Sequence, residues 1–368
     1  MAVTLTQLVA FLAVVRRGSV TAAAEELVVT QPSVSAAVAA LERELGVALT
    51  ERSGRTLRPT PAGAAYAPYA ADVLGLLDQG GRAAREAAER GLRTLRISAV
   101  TTAGEFLLPP LIQGFRERHP DLEISLDVGN RADVFQRLAD HEVDVAITGR
   151  VPEDGRLVGR AFMDNEWVLI TSPGDPLAKR RWVAMEELTT RPWLVREPGS
   201  GTRTLCEEYL TAHGIKPRLL TLGSNGAIKQ AARVGLGIAL QSRAAVELEL
   251  GLGLLGTIRP RGGLPHRSWY VVRAATGPVR DVVDAFMAYV ESPAAQHALA
   301  LARDAGQERR ATAAARGAGG PSSRAARPRP ALSSDGSAPL KATNPSLDPR
   351  EPAERRVLAA ALRGSGRR

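Results

Sequence analysis

The chain has 368 residues, 48 Lys/Arg against 39 Asp/Glu, a formal net charge of +9 and a single cysteine. The charge is unevenly placed: residues 301–368 hold 14 Lys/Arg and 6 Asp/Glu, so the first 300 residues carry 34 against 33 and are nearly neutral. The lone Cys206 excludes an internal disulfide, no apolar run approaches the roughly 20 residues of a helical membrane span, and no basic leader with an apolar core opens the chain, so a cytoplasmic protein is expected.

The first sixty residues read as three helices and a ribbon. Thr4 and Gln7 have capping-box spacing, and Leu5, Leu8, Phe11, Leu12 and Val15 form the face of a first helix. Ser19 can cap a second, in which Val20, Ala23, Ala24 and Leu27 recur at helical spacing. The Val28-Val29-Thr30 turn leads to Pro32, tolerated in a helix's first turn, so a third helix starts near Gln31 and ends at Gly46. Its buried stripe is Val34, Val38, Leu41 and Leu45, which turns Gln31, Ser33, Ser35, Ala36 and Ala39 outward. Two short helices about a tight turn have the geometry of a helix-turn-helix, built to lie in a DNA groove. Residues 49–52 and 56–58 flank the turn pair Ser53-Gly54 as a wing, whose Arg52, Arg55 and Arg58 are placed to reach phosphates. Thr60-Pro61 restarts an Ala-rich helix running to about residue 90. Its stripe of Tyr66, Tyr69, Val73, Leu76, Leu77 and Ala84 is too long for the small domain to cover, so a partner helix and a homo-oligomer are expected.

From Leu92 strands and helices alternate. Strands are expected over 95–99, 122–128, 143–147, 167–171, 193–196, 219–222, 238–240 and 268–273, and helices over 104–118, 132–141, 202–213, 227–234 and 279–290. The βαβ rhythm implies a parallel sheet. Ligands of such sheets collect beyond the strands' carboxyl ends, where helix N-termini favour anions. Four turns carry suitable side chains: Val100-Thr101-Thr102, Gly129-Asn130-Arg131, residues 196–203 and Gly223-Ser224-Asn225. The candidate ligand residues are Thr101, Thr102, Asn130, Arg131, Arg150, Arg196, Ser200, Thr202, Arg203 and Asn225, in which the four arginines suit a carboxylate or phosphate. The alternative is ordinary turns with solvated arginines.

Other motifs fail on context. Residues 251–256 fit GxGxxG but precede TIRPRGG rather than opening a helix. The five histidines are dispersed, GxSxG and HExxH are absent, and Cys206 and the four tryptophans read as packing residues. No catalytic residue, metal or cofactor is expected. The tail over 301–368, rich in Pro, Ala, Ser and Arg, is expected to be disordered apart from a short helix over 354–362. It is either a low-complexity extension or a basic arm adding non-specific DNA affinity.

The order SVTAAAEEL, TQPSVSAAVAALERELG, ERSGRTLRPTPAG and a long helix resembles the LysR-type transcriptional regulators, and the likeness runs to about residue 300. Within that family LLPPLIQGFRERHP, Asn130-Arg131, REPGSGTR and LGSNGAIKQAARVGLGIAL most resemble the CbbR-type regulators of carbon-fixation (Calvin-cycle) operons. One departure is that Ala36, Ala37, Ala39 and Ala40 stand where family members commonly carry Arg or Gln, leaving Gln31, Ser33 and Ser35 for base contacts. The resemblance implies an N-terminal winged helix-turn-helix (1–60), a linker helix (61–91) and an α/β two-lobed effector domain of the periplasmic-binding-protein type (92–300). Lobe one would be 93–163 with 267–300, and lobe two 164–266. It further implies a regulator, not an enzyme, that binds double-stranded promoter DNA and a small, phosphorylated or otherwise anionic metabolite. The alternative is a cytoplasmic small-molecule-binding protein without a DNA role.

Overall fold

A computed structural model describes residues 3–54, 56–88, 93–153 and 155–301. Arg55, the end of the expected linker (89–91) and the expected tail from 302 onward lie outside the described residues. The chain divides into two compact units, the first ending at Ala67 and the second starting at Pro68.

The first unit is fixed by its caps. Helix α1 (Leu5–Arg17) opens on a reciprocal pair in which the Thr4 N–H donates to Gln7 Oε1 (2.8 Å) and the Gln7 N–H to Thr4 Oγ1 (3.4 Å). Gly18 ends it at φ 64°. Ser19 caps α2 (Val20–Leu27), and Thr30 caps α3 (Gln31–Leu45), with Pro32 in the first turn and Gly46 after the last. Between these two helices Val28 holds φ 55°, a strained conformation for a β-branched residue that the surrounding turn must enforce. Phe11, Val14, Ala23, Ala24, Val34, Val38 and Leu41 are buried. Leu45, expected in the same stripe, is half-buried at the rim of this core.

Strands β1 (Thr50–Ser53) and β2 (Thr56–Pro59) form an antiparallel ribbon pairing Glu51 with Arg58 and Arg52 with Leu57. Glu42 of α3 pins its base: one carboxylate oxygen accepts from the Leu49 N–H (2.8 Å), the Thr50 N–H (3.0 Å) and Thr50 Oγ1 (3.1 Å). Helix α4 (Pro61–Ala88) follows. A side chain at Gly63 would place its Cβ 1.9 Å from the Leu49 carbonyl oxygen, so only glycine lets the helix start there.

In the second unit the chain runs through β3 (Arg93–Val100), α5 (Thr101–Phe106), α6 (Leu108–Arg116), β4 (Leu122–Gly129), α7 (Arg131–Ala139), β5 (Val145–Thr148) and β6 (Leu157–Asn165). It continues into β7 (Trp167–Thr171), α8 (Met185–Thr189), β8 (Trp193–Val195), α9 (Gly201–Ala212), β9 (Leu219–Thr221) and α10 (Asn225–Arg233). Then come β10 (Ala239–Ser242), α11 (Arg243–Gly251), β11 (Gly256–Ile258), β12 (Arg267–Ala274) and α12 (Asp281–Val290). One sheet has the order β4-β3-β5-β12-β6 and another β10-β7-β11; β8 and β9 pair separately, tied to β10's approach by a bridge between Trp193 and Ile238.

The expectation of parallel pairing holds for β4-β3-β5 and for the β8–β9 pair. Strand β12 runs antiparallel to both β5 and β6, and β7 antiparallel to both neighbours. The reason is the route: β12 is entered by chain returning from the second sheet, not by a helical crossover that would force it parallel. The single helix expected over 104–118 is two, α5 and α6, divided at Leu107 just ahead of Pro109 and Pro110. Strand β6 and helices α8 and α11 have no counterpart among the elements expected from sequence. Each large sheet has its own core, around Leu95, Ile97, Leu111, Phe115 and Phe286 in one and Leu169, Trp193, Tyr209 and Leu240 in the other. Trp182, expected to pack, is 49% exposed.

The second half of α4 is seated on this unit. His141, buried at φ 57°, places Nε2 3.0 Å from Asp72 Oδ1 and Nδ1 3.1 Å from Gln79 Nε2, and one tautomer satisfies both. A Cβ at Gly75 would strike the same imidazole. Arg280 adds bonds to Glu86 (2.6 Å) and Asp144 (3.0 Å).

Replacing Glu42 by Ala strands the partly buried Leu49 and Thr50 amides. A loss of about 1–3 kcal/mol in the first unit's unfolding transition is expected, with faster hydrogen exchange at both amides; unchanged exchange there would contradict the pinning.

Candidate functional site

Two surfaces carry the residues singled out from sequence. On the first unit Gln31, Ser33, Ser35 and Ala36 are exposed along the N-terminal turns of α3. Ser33 is partly committed, its Oγ lying 2.8 Å from Thr30 Oγ1 in the cap. Arg52 and Arg58 are exposed, but their pairing with Leu57 and Glu51 aims them at opposite faces of the ribbon, because cross-strand partners share a face and successive residues alternate. Arg55 lies outside the described residues. At the other end of the α1–α2 pair Glu26 takes Arg16 (3.0 Å) and Arg17 (2.5 Å). Burial alone would raise its pKa, yet those two guanidinium groups hold the carboxyl below the ordinary range.

In the second unit a cleft open to solvent lies between the two large sheets. Of the ten candidate ligand residues, eight line it: Thr101 and Thr102 opening α5, Asn130 and Arg131 opening α7, Arg150 beyond β5, Arg196 beyond β8, and Ser200 and Thr202 opening α9. The first turns of α7 and α9 face each other across it. Gly199 stands beside Asn130 at φ 89°, a backbone conformation that favours glycine, and a Cβ at Gly201 would make ordinary contact, 3.6 Å, with the Arg131 side chain. No side chain caps α9, whereas Asn130 caps α7 by accepting from the Asp133 N–H.

The arginines are not equivalent. Arg196 is 4% exposed and finds partners for four of its five N–H donors: Glu197 takes Nε and Nη2 (2.8 and 2.9 Å), Asn225 Oδ1 takes Nη1 (2.8 Å), and Thr101 Oγ1 lies 3.4 Å from Nη2. Burial pushes the Glu197 carboxyl up, but the Arg196 hydrogen bonds, a backbone N–H bond and the charges of Arg196 and Arg203 together hold it below the ordinary range. Arg131 lies over the Phe135 ring (5.9 Å), and no ion pair is seen for it among the described residues. The residue lines the cleft while its guanidinium rests against Phe135.

Arg203 and Asn225 do not line the cleft. Arg203 points back to the Arg196 carbonyl (3.0 Å), Thr221 (3.2 Å) and Glu207 (2.8 Å), and Asn225, 1% exposed, joins Arg196 to Thr102 (3.2 Å) and Glu105 (3.3 Å). They brace the site from behind. The cleft also gains residues the sequence did not single out: Arg267, Glu208, Thr148, Trp269, and the floor formed by Asn165, Trp167 and Ser242, whose Oγ donates to Asn165 Oδ1 at 2.6 Å. A signal existed for Glu208, since Ser200, Thr204 and Glu208 recur every four residues and so share one face of α9.

Cys206 is buried on α9, and burial first, with Glu207 adding to it, pushes its thiol up to about 12, so it stays protonated and unreactive at neutral pH. The GxGxxG run spans the end of α11 and the start of β11 and opens no helix.

Residues 5–64 match the family description "Bacterial regulatory helix-turn-helix protein, lysR family", and residues 88–295 match "LysR substrate binding domain". The chain is 34% identical to the HTH-type transcriptional activator CmpR of Synechocystis over 288 residues (78% of this chain, 94% of that protein). It is 37% identical to the HTH-type transcriptional regulator CbbR of Sinorhizobium medicae over 302 residues (80% and 95%). A solved structure of the Synechocystis CcmR regulatory domain in complex with 2-PG superposes with a TM-score of 0.51 at 31% identity, covering 54% of this chain and 95% of that one. Among the described residues no helix is long and apolar enough to cross a membrane. With both family descriptions matched in order and both full-length relatives above 30% identity, the chain belongs to the LysR family of DNA-binding transcriptional regulators, proteins that carry an effector-binding domain and are not enzymes.

Proposed function

We propose that this regulator senses a small phosphorylated or carboxylated metabolite in the cleft of its second unit and that occupancy changes how the first unit engages promoter DNA. The observation that carries the reading is Arg131, a cation without an ion pair held between the first turns of α7 and α9, where backbone N–H groups and helix dipoles add to its field. A buried Arg196 already neutralised by Glu197 positions the walls and leaves Arg131 as the free anchor. The CcmR regulatory domain was solved with 2-PG, 2-phosphoglycolate, an anion of this kind. The effector domain is read as 92–300, with lobes of 93–163 plus 267–300 and 164–266, and the protein as cytoplasmic.

DNA is read by Gln31, Ser33 and Ser35 with apolar help from Ala36, while the wing arginines hold the backbone. On α4, Tyr69, Val73 and Leu77 are exposed at four-residue spacing, an apolar stripe suited to the same helix of a second copy, so the working species is a homo-oligomer. Cleft closure then alters the setting of paired linker helices, and with it the two DNA-reading heads.

Two outcomes are expected. Arg52→Ala with Arg58→Ala weakens binding to all DNA sequences and lowers the salt slope by about 0.9 for each phosphate no longer neutralised, and an unchanged slope in anisotropy titrations contradicts the wing's role. At about 100 times its Kd, 2-phosphoglycolate should stabilise the second unit by about 2.7 kcal/mol, and a tenfold weaker Arg131→Ala roughly halves that gain in differential scanning calorimetry; an undiminished shift contradicts the anchor.

A further inference from the structure

Beside the free Arg131 the cleft holds a cationic pair that is already occupied. Glu208, on the cleft face of α9, places Oε1 3.4 Å from Arg150 Nη1 and Oε2 2.8 Å from Arg267 Nη2. Its carboxylate, on α9, therefore bridges two guanidinium groups, one from the turn after β5 and one from the first residue of β12. The side chains are 55% (Arg150), 43% (Glu208) and 39% (Arg267) exposed, so water screens both bonds and the bridge is weak. The contrast with Arg196 and Glu197 is direct: there the guanidinium is buried, whereas here both arginines are exposed and the bridge opens to the cleft.

We infer that Glu208 is a resident anion that sets which ligands the cleft accepts. An effector with two anionic ends places one at Arg131 and the other at Arg150 and Arg267, and the second end displaces the Glu208 carboxylate. A ligand with one anionic group is held at Arg131 alone and leaves the bridge closed. Displacement also releases α9 from its direct hold on Arg150 and Arg267, so the same event that selects the ligand frees the two sides of the cleft to close about it. No covalent bond is made or broken; one carboxylate is exchanged for another anion. The inference rests on the reading of the cleft as an anion site.

The test is isothermal titration of the full chain with 2-phosphoglycolate, two-ended, and with inorganic phosphate, one-ended, using wild type, Glu208→Gln and Arg131→Ala. Removing the resident charge without changing its shape should tighten 2-phosphoglycolate roughly tenfold while phosphate changes by less than about twofold. Glu208→Asp, which withdraws the carboxylate by one methylene, should give an intermediate gain and serves if the Gln variant misfolds. Unchanged or weaker 2-phosphoglycolate binding in Glu208→Gln overturns the inference, making Glu208 a rim ion pair or a direct ligand contact. Equal tightening of both probes overturns it in favour of a general field effect. If wild type binds and Arg131→Ala does not, but Glu208→Gln equals wild type, the latch alone falls. Binding of neither probe by wild type removes the anion reading and the latch together.

Discussion

A guanidinium group taken out of water must be paired, and the way Arg196 meets that demand determines the cleft. Its partners come from three places in the chain: Glu197 beside it, Asn225 at the start of α10, and Thr101 at the start of α5. Asn225 then reaches Thr102 and Glu105 of α5. The knot crosses from one sheet's half to the other, and breaking a single member leaves a buried polar group without a partner. Because Glu197 cancels the Arg196 charge, the field in the cleft is left to Arg131 and, conditionally, to Arg150 and Arg267.

Strand β5 connects that cleft to the linker helix. Arg150 stands two residues beyond its carboxyl end, and Asp144 one residue before its start accepts from the Arg96 N–H (2.8 Å) and from Arg280 (3.0 Å), which also binds Glu86 of α4. His141, three residues earlier still, sits between Asp72 and Gln79 of α4. A four-residue strand hydrogen-bonded on both sides has little freedom to absorb a displacement, so a change at Arg150 has a short physical route to the helix that continues through Pro68 into the first unit.

Where residues signal locally, the sequence is legible. Thr4 and Ser19 before apolar periods, Pro32 in a first turn and Gly46 after a last one place the starts of α1 to α3 and the end of α3 almost to the residue, because such signals act within one turn. The turns at 100–102, 129–131 and 196–202 are likewise readable as the walls of one site. What local patterns do not carry is tertiary tier and route. Arg203 and Asn225 have the composition of ligand residues yet serve as braces, since the side of a wall a residue faces depends on packing fixed by distant elements. Arg267 and Glu208 lie 59 residues apart and meet only because β12 returns from the second half, the same return that makes the first sheet mixed.

Cleft occupancy and DNA engagement, on this reading, share one conformational equilibrium, and thermodynamic linkage tests that without reference to mechanism. The affinity of the full chain for 2-phosphoglycolate should be measured free and saturated with promoter DNA, alongside the affinity for that DNA with and without ligand. A shared equilibrium predicts that both ratios differ from one and equal each other. Identical ligand affinities in the free and DNA-bound protein would contradict it.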